Sequence, residues 1–97
     1  MESLKQDMKV VFLTSASCGP CKRLKPLMQE VAAETGLSFE QHEYAPGEEN
    51  YYFTKFGVRS VPVIALVDRS DDTELARING GQTKEALLKT FKEWGVI

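Results

Sequence analysis

Apolar residues in this chain occur either as dense runs or as evenly spaced series, and the two patterns predict different elements. Val10-Val11-Phe12-Leu13 and Val61-Pro62-Val63-Ile64-Ala65-Leu66-Val67 have no polar interruption. Short runs of this kind read as strands buried on both faces, which predicts strands over about 9–15 and 61–67. Leu24, Leu27, Met28, Val31 and Ala32 recur at three- and four-residue steps. That spacing gives a helix one apolar face, so a helix is expected from about 19 to 35, stopped by Gly36. Leu87, Leu88, Phe91 and Trp94 repeat the pattern and predict a last helix over about 84–94, with Thr83 as its N-cap.

The remaining segments are more polar. Leu37 to Tyr44 holds a second strand with Leu37 and Phe39 facing inward. Its Glu40-Gln41-His42-Glu43 stretch suits a sheet edge protected against aggregation. Ala45-Pro46-Gly47 turns into a short helix around 48–56, with acidic residues in the first turn as the helix dipole favours. Tyr52, Phe53 and Phe56 form its apolar side. A polar hairpin turn at 68–72 leads to a returning strand over 74–78, which Asn79-Gly80-Gly81 breaks. Residues 1–8 read as a polar lead-in with room for one helical turn. Two prolines interrupt otherwise regular patterns: Pro26 should kink the first helix, and Pro62 belongs at the first residue of its strand or at a special bend.

The resulting order, βαβαββα, predicts an α/β domain with a four-stranded mixed sheet flanked by three helices. At 97 residues the chain is expected to be a single domain, 1–97, able to bury a core. A formal net charge of −2 gives no general reason for nucleic acid or an anionic membrane as partner. No segment approaches the ~18 apolar residues of a membrane span. The start, Met-Glu-Ser-Leu-Lys-Gln-Asp-Met, lacks the apolar stretch of a secretory signal, and a cytoplasmic location is expected.

The chemistry sits where the first strand meets the first helix. Ser15-Ala16-Ser17 forms a small turn that delivers Cys18, and Cys21 follows one helical turn later. Pro20 fits the first turn because its φ is already helical and no amide there needs a partner. Positions i and i+3 of a first turn supply the Cα separation of about 4.4–6.8 Å that a disulfide needs. A helix N-terminus stabilises a thiolate, so Cys18 is the expected nucleophile and the deeper Cys21 the resolving thiol. The alternatives are a structural pair or half of a zinc site. Zinc commonly takes four Cys or His ligands, and this chain offers only His42 besides the two cysteines. His42 alone reads as an exposed edge residue. Lys22, Arg23 and Lys25 each read as part of a solvated basic face; as a group they favour a thiolate or an acidic partner. Two cysteines in a catalytic spacing fit a reducing compartment.

Cys18-Gly19-Pro20-Cys21-Lys22, Pro26 in the following helix, and Gly57-Val58-Arg59-Ser60-Val61-Pro62 before the third strand resemble the thioredoxin family over about residues 9 to 94. The resemblance implies a cis Val61–Pro62 bond facing the cysteines. Ser17, Gly19, Pro20, Val61, Pro62 and Gly80 would then border a substrate groove. It also implies a protein-disulfide reductase that binds no cofactor itself. Electrons would come from NADPH through a flavin-dependent thioredoxin reductase. The expected partners are that reductase and disulfide-bearing proteins, ribonucleotide reductase among them, with the protein itself a monomer.

The chain departs from the family pattern in several places. Ser17 stands where tryptophan usually precedes the first cysteine, and Val63 where threonine commonly follows the cis-proline. Phe12 occupies the position of a buried aspartate that is thought to help move a proton from the second cysteine. Too few residues precede Val10 for the family's extra first strand and helix, so a minimal version is expected. Gly80-Gly81-Gln82-Thr83 is faintly similar to the glutathione-holding segment of glutaredoxins, without its acidic pair. A glutathione-dependent reductase is therefore one rival, though Gly-Pro between the cysteines is unlike the usual glutaredoxin Pro-Tyr. A binding subunit with secondary redox activity is the other; it would have no need of both cysteines.

Overall fold

The computed structural model describes residues 7–97. Its elements are β1 (Met8–Thr14), α1 (Gly19–Thr35), β2 (Phe39–Glu43), α2 (Tyr51–Lys55), β3 (Val63–Asp68), β4 (Glu74–Asn79) and α3 (Lys84–Trp94). One sheet carries the strands in the order β2-β1-β3-β4. β1 and β2 are parallel and are joined by α1, because parallel neighbours need a crossover. β3 runs antiparallel to β1, and β4 antiparallel to β3. The expected order and mixed sheet are those of the structure.

β1 explains the uninterrupted apolar run. It is hydrogen-bonded on both edges, and its side chains alternate between two cores. Val10 and Phe12 pack with Leu24, Met28 and Val31 of α1 and with Leu87 and Phe91 of α3. Val11 and Leu13 face the other way, onto Tyr52 and Phe53 of α2 and the adjoining Phe56. β3 divides likewise, Ile64 and Leu66 to the first core, Val63, Ala65 and Val67 to the second. Each apolar side chain so buried contributes about 1.5–3 kcal/mol.

The bounds of α1 and α3 are as expected, and α1 continues past Pro26 to Thr35. Thr83 caps α3 by accepting the Ala86 amide at 3.1 Å. Elsewhere the edges move. Met8 already belongs to β1, and the rest of the expected lead-in, up to residue 6, lies outside the described residues. Leu37 is buried in the first core but precedes β2, because Gly36 adopts φ +78 to close α1 and turns the chain inward there. Phe39 is only half-buried and stands edge-on to Phe12 at 6.2 Å.

The largest difference is in α2, which begins at Tyr51, so Glu48 and Glu49 precede the helix and the expected acidic first turn does not form. Asn50 takes the cap position in a left-handed conformation, φ 51, which Asn tolerates better than most residues. Its amide ties the loop instead: Oδ1 accepts from the Ala45 N–H and Nδ2 donates to the Ala45 carbonyl, each at 2.9 Å. β3 starts after Pro62 rather than at Val61, since proline has no N–H for the ladder.

A candidate dithiol site

The polypeptide leaves β1 at Thr14 and turns within four residues. The Cys18 N–H donates to the Ser15 carbonyl at 3.3 Å, and the Lys22 N–H to the Cys18 carbonyl at 3.3 Å. Cys18 is the N-cap of α1, and its Sγ accepts a hydrogen bond from the Cys21 N–H at 3.1 Å. A sulfur held there receives a backbone N–H and the positive end of the helix dipole. Cys18 and Cys21 are disulfide-bonded, with Cα atoms 5.2 Å apart. They differ in access: Cys18 is half-buried, whereas Cys21 has no exposed surface.

The opposite wall is the segment before β3. Val61–Pro62 is a cis peptide, and the Val61 carbonyl oxygen lies 3.6 Å from Cys18 Sγ. Pro62 is buried. Gly80, just past β4, donates its N–H to the Pro62 carbonyl at 3.0 Å with φ +81, a conformation glycine adopts at little steric cost. The structure thus brings the cysteine turn, the Val61-Pro62 segment and Gly80 to one end of the sheet. Gly19 and Pro20 are exposed on the rim. Ser17 is exposed too, and its hydroxyl has no hydrogen-bond partner among the described residues.

Cys21 lies on the buried side of α1, with Leu24, Met28 and Val31 after it. Phe12 is fully buried among Leu24, Met28 and Val31 of α1, the helix whose first buried residue is Cys21. Thr14 is the only buried polar side chain among the described residues, and its Oγ1 lacks a hydrogen-bond partner. No buried carboxylate or imidazole among those residues is available to take a proton from Cys21. His42 does not fill the gap. It pairs in register with Leu13 and leans on Tyr52, ring centroids 4.9 Å apart, which puts it on the α2 face of the sheet. Its Nε2 lies 3.0 Å from Glu40 Oε1. Glu43 is on the α1 face but is engaged by Lys25 at 3.7 Å. Lys22 and Arg23 remain exposed. No group of His, Cys, Asp and Glu among the described residues is arranged to hold a metal.

A polar cluster that the pattern of residues did not foretell lies on the α2 face. Lys9 Nζ sits 3.2 Å from both Glu40 Oε2 and Asp72 Oδ1, and 2.6 Å from the Tyr52 hydroxyl. Burial alone would lower the Lys9 pKa; the hydrogen bonds from Tyr52, Glu40 and Asp72 outweigh it and hold the ammonium above the usual lysine range. Burial opposes ionisation of Glu40 and Asp72 as well, yet both carboxyls are held below their usual range. For Glu40 the stronger influences are His42 and Lys9; for Asp72 they are Lys9 and the two tyrosines. This cluster fastens α2 and the β3–β4 hairpin to β1. Sequence spacing carries no trace of it, since Lys9, Glu40, Tyr52 and Asp72 come from four separate segments.

A half-accessible sulfur on a helix N-cap, bonded to a buried one and facing a cis-proline segment, defines a protein built for dithiol–disulfide exchange. The chain belongs to the thioredoxin family, whose model matches residues 2–93. It is 32% identical over 90 residues to the thioredoxin of Rickettsia typhi, covering 90% of this chain and 82% of that one. The thioredoxin of Staphylococcus haemolyticus is 27% identical, with 93% and 85% covered. Among solved structures, thioredoxin f2 of Chlamydomonas reinhardtii superposes with a TM-score of 0.77 at 18% identity, covering 98% of this chain and 86% of that chain. A thioredoxin from Nicotiana alata superposes at 0.73 with 26% identity, covering 92% and 76%. The fold is a thioredoxin fold, and the chain is a thiol-disulfide oxidoreductase that reduces protein disulfides.

Proposed function

We propose that residues 1–97 act as one cytoplasmic, monomeric thioredoxin domain, with Cys18 as attacking and Cys21 as resolving thiol. The Cys18 thiolate attacks one sulfur of a substrate disulfide, forming a mixed disulfide and releasing the other sulfur as a thiolate. Cys21 then attacks Cys18 Sγ, the mixed disulfide breaks, and the second substrate thiolate leaves. Two electrons have passed to the substrate, and Cys18–Cys21 is a disulfide again. The observation that carries this division of labour is access: Cys18 is half-buried on the N-cap, and Cys21 has no exposed surface.

Ser17, Gly19, Pro20, Val61, Pro62 and Gly80 are proposed to border the substrate, with Val61's backbone free to pair with an extended segment. The proposed cycle needs no cofactor held by this domain. The disulfide is reduced in turn by a flavin-dependent thioredoxin reductase using NADPH, and the substrates are disulfide-bearing proteins such as ribonucleotide reductase. Insulin reduction tests the electron source in three arms. Turnover with thioredoxin reductase and NADPH, and little with glutathione and glutathione reductase or with neither, is expected. Turnover that requires glutathione would instead make the protein glutaredoxin-like.

A further inference from the structure

We propose that a cleft beside Cys18 gives this reductase a preference for disulfides flanked by an acidic residue, whose carboxylate pairs with Arg59. The proposal rests on the reductase reading and adds a substrate class to it. The cleft has a volume of about 440 Å³ and is lined by Ser15, Tyr44, Phe53, Val58, Arg59, Ser60 and Val61. Its Val61 wall is the residue whose carbonyl stands 3.6 Å from Cys18 Sγ. An occupant of the cleft therefore touches the residue that stands against the sulfur that reacts.

The lining is chemically one-sided. Arg59 supplies its only charge, no acidic residue lines it, and Arg59 has no acidic partner among the described residues. Glu43, the neighbour of Tyr44, is turned toward α1 and held by Lys25 at 3.7 Å. The Ser15 and Ser60 side chains add hydroxyl donors. Tyr44 is 47% exposed and stands edge-on to Phe53 at 5.5 Å, giving a carbon surface for the stem of a glutamate. A guanidinium fork with no carboxylate of its own matches a carboxylate better than any other side chain. On a chain of net charge −2, this is a local feature and not a background of positive charge.

Reach agrees with this. Arg59 is two residues from Val61, a span of at most about 7 Å. An extended substrate advances about 3.3 Å per residue. A residue two positions from the attacked cysteine therefore comes level with Arg59 when the cysteine is level with Val61.

The test uses three synthetic peptides with the same intramolecular disulfide, differing only in having Glu, Gln or Lys two positions from the attacked cysteine. The readout is the ratio of their kcat/KM values within each protein, with electrons from thioredoxin reductase and NADPH or from dithiothreitol. At low ionic strength the full chain should favour Glu over Gln by about two- to fivefold, the range expected of a partly exposed ion pair, and salt should shrink the ratio. Arg59→Gln should bring the ratio to one, and Arg59→Glu should reverse the order in favour of Lys. Lys92→Gln removes the same charge from the far end of α3 and should keep the preference. Equal rates for the three peptides, or a Glu preference that survives Arg59→Gln, would overturn the proposal. Reduction of none of them with either electron source would overturn the reductase reading beneath it.

Discussion

A thiol must lose its proton before it can resolve a mixed disulfide, and in the proposed cycle the surroundings of Cys21 should make that step depend steeply on pH. Cys21 has no exposed surface, Leu24 and Met28 follow it on the buried side of α1, and Phe12 belongs to the same apolar core as both. Among the described residues nothing buried there can act as a base. A thiol enclosed by apolar groups ionises above the ~8.5 of a free cysteine. With a pKa at that lower bound, about 3% is thiolate at pH 7 and about a quarter at pH 8. The resolving rate should therefore rise roughly eight- to tenfold over that single pH unit. Rapid-quench trapping of the mixed disulfide with a small substrate, from pH 6.5 to 9, measures it. A flat profile between pH 6.5 and 8 would refute the reasoning, because it would mean that a base already serves Cys21.

The converse perturbation introduces a carboxyl. Phe12→Asp places an acceptor in a pocket where burial raises a carboxyl's own pKa toward neutrality. General-base help of that kind is typically worth about 10²–10⁴-fold. The same change removes a fully buried phenyl ring from the first core. Loss of a buried Phe side chain costs about 3–5 kcal/mol, against a total stability of about 5–15 kcal/mol for a domain of this size. At about 4–8 °C per kcal/mol, Tm should fall by some 12–40 °C. The expected outcome is a weakly stable protein that resolves faster at pH 7. An unchanged resolving rate in a folded Phe12→Asp protein would contradict the account, and the wild-type pH profile decides the matter if the variant does not fold.

Other expected outcomes rest on the same geometry. Cys18→Ala should abolish disulfide reduction while Cys21→Ser accumulates mixed disulfides, visible on non-reducing gels; retained turnover in Cys18→Ala would reverse the assigned roles. Iodoacetamide alkylation of the reduced protein should show a Cys18 midpoint below the ~8.5 of a free thiol, and a midpoint at that value would deny any influence of the helix start. Thr14→Val should raise stability by about 1–3 kcal/mol, because the buried Oγ1 has no partner to lose; a lower Tm would reveal a bonded hydroxyl. Because Glu40 and Asp72 have depressed pKa values, their stabilisation is complete above the unfolded carboxyl range, near pH 4, and is lost as pH falls through the lower folded values. Lys9→Met should therefore flatten the fall of the urea midpoint between about pH 4.5 and 2.5, and an unchanged slope would show that Lys9 is not what depresses them.

How far the fold could be read from the residues depended on whether a segment's structure is set locally. α1 and α3 carry their own boundaries in Pro20, Gly36, Thr83 and a four-residue apolar rhythm, and their bounds match expectation. The dithiol was legible for the same reason, since Cys18, Pro20 and Cys21 share one helical turn. The start of α2 differs from expectation because Glu48 and Glu49 look like a helix N-terminus, whereas the helix begins at Tyr51 and Asn50 uses its amide to hold Ala45. The Lys9 cluster and the Arg59 cleft were not legible at all. Each gathers side chains from several segments, and only β-sheet register and loop closure bring them together. His42 shows the same limit from the other side: its proximity to Cys21 could be weighed only once its pairing with Leu13 assigned it to the opposite face.

Phe12 links these levels. A residue on β1 at that position faces α1 whatever its chemistry, because alternation from Val10 dictates the face. β1 is hydrogen-bonded on both edges and covered on both faces, so an unpaired charge there would be costly. An aromatic ring contributes stability at the same spot through contacts with Leu24, Met28 and the edge of Phe39. The consequence falls on Cys21, which has no exposed surface and no buried carboxylate or imidazole among the described residues to take its proton. In a protein arranged this way the pH dependence of the resolving step is set by Cys21 and its apolar surroundings, whereas that of the attacking step is set by the Cys18 thiolate at the helix N-cap. The two half-reactions are therefore tuned by separate parts of one strand–turn–helix unit, and substitutions under α1 should change the second without altering the first.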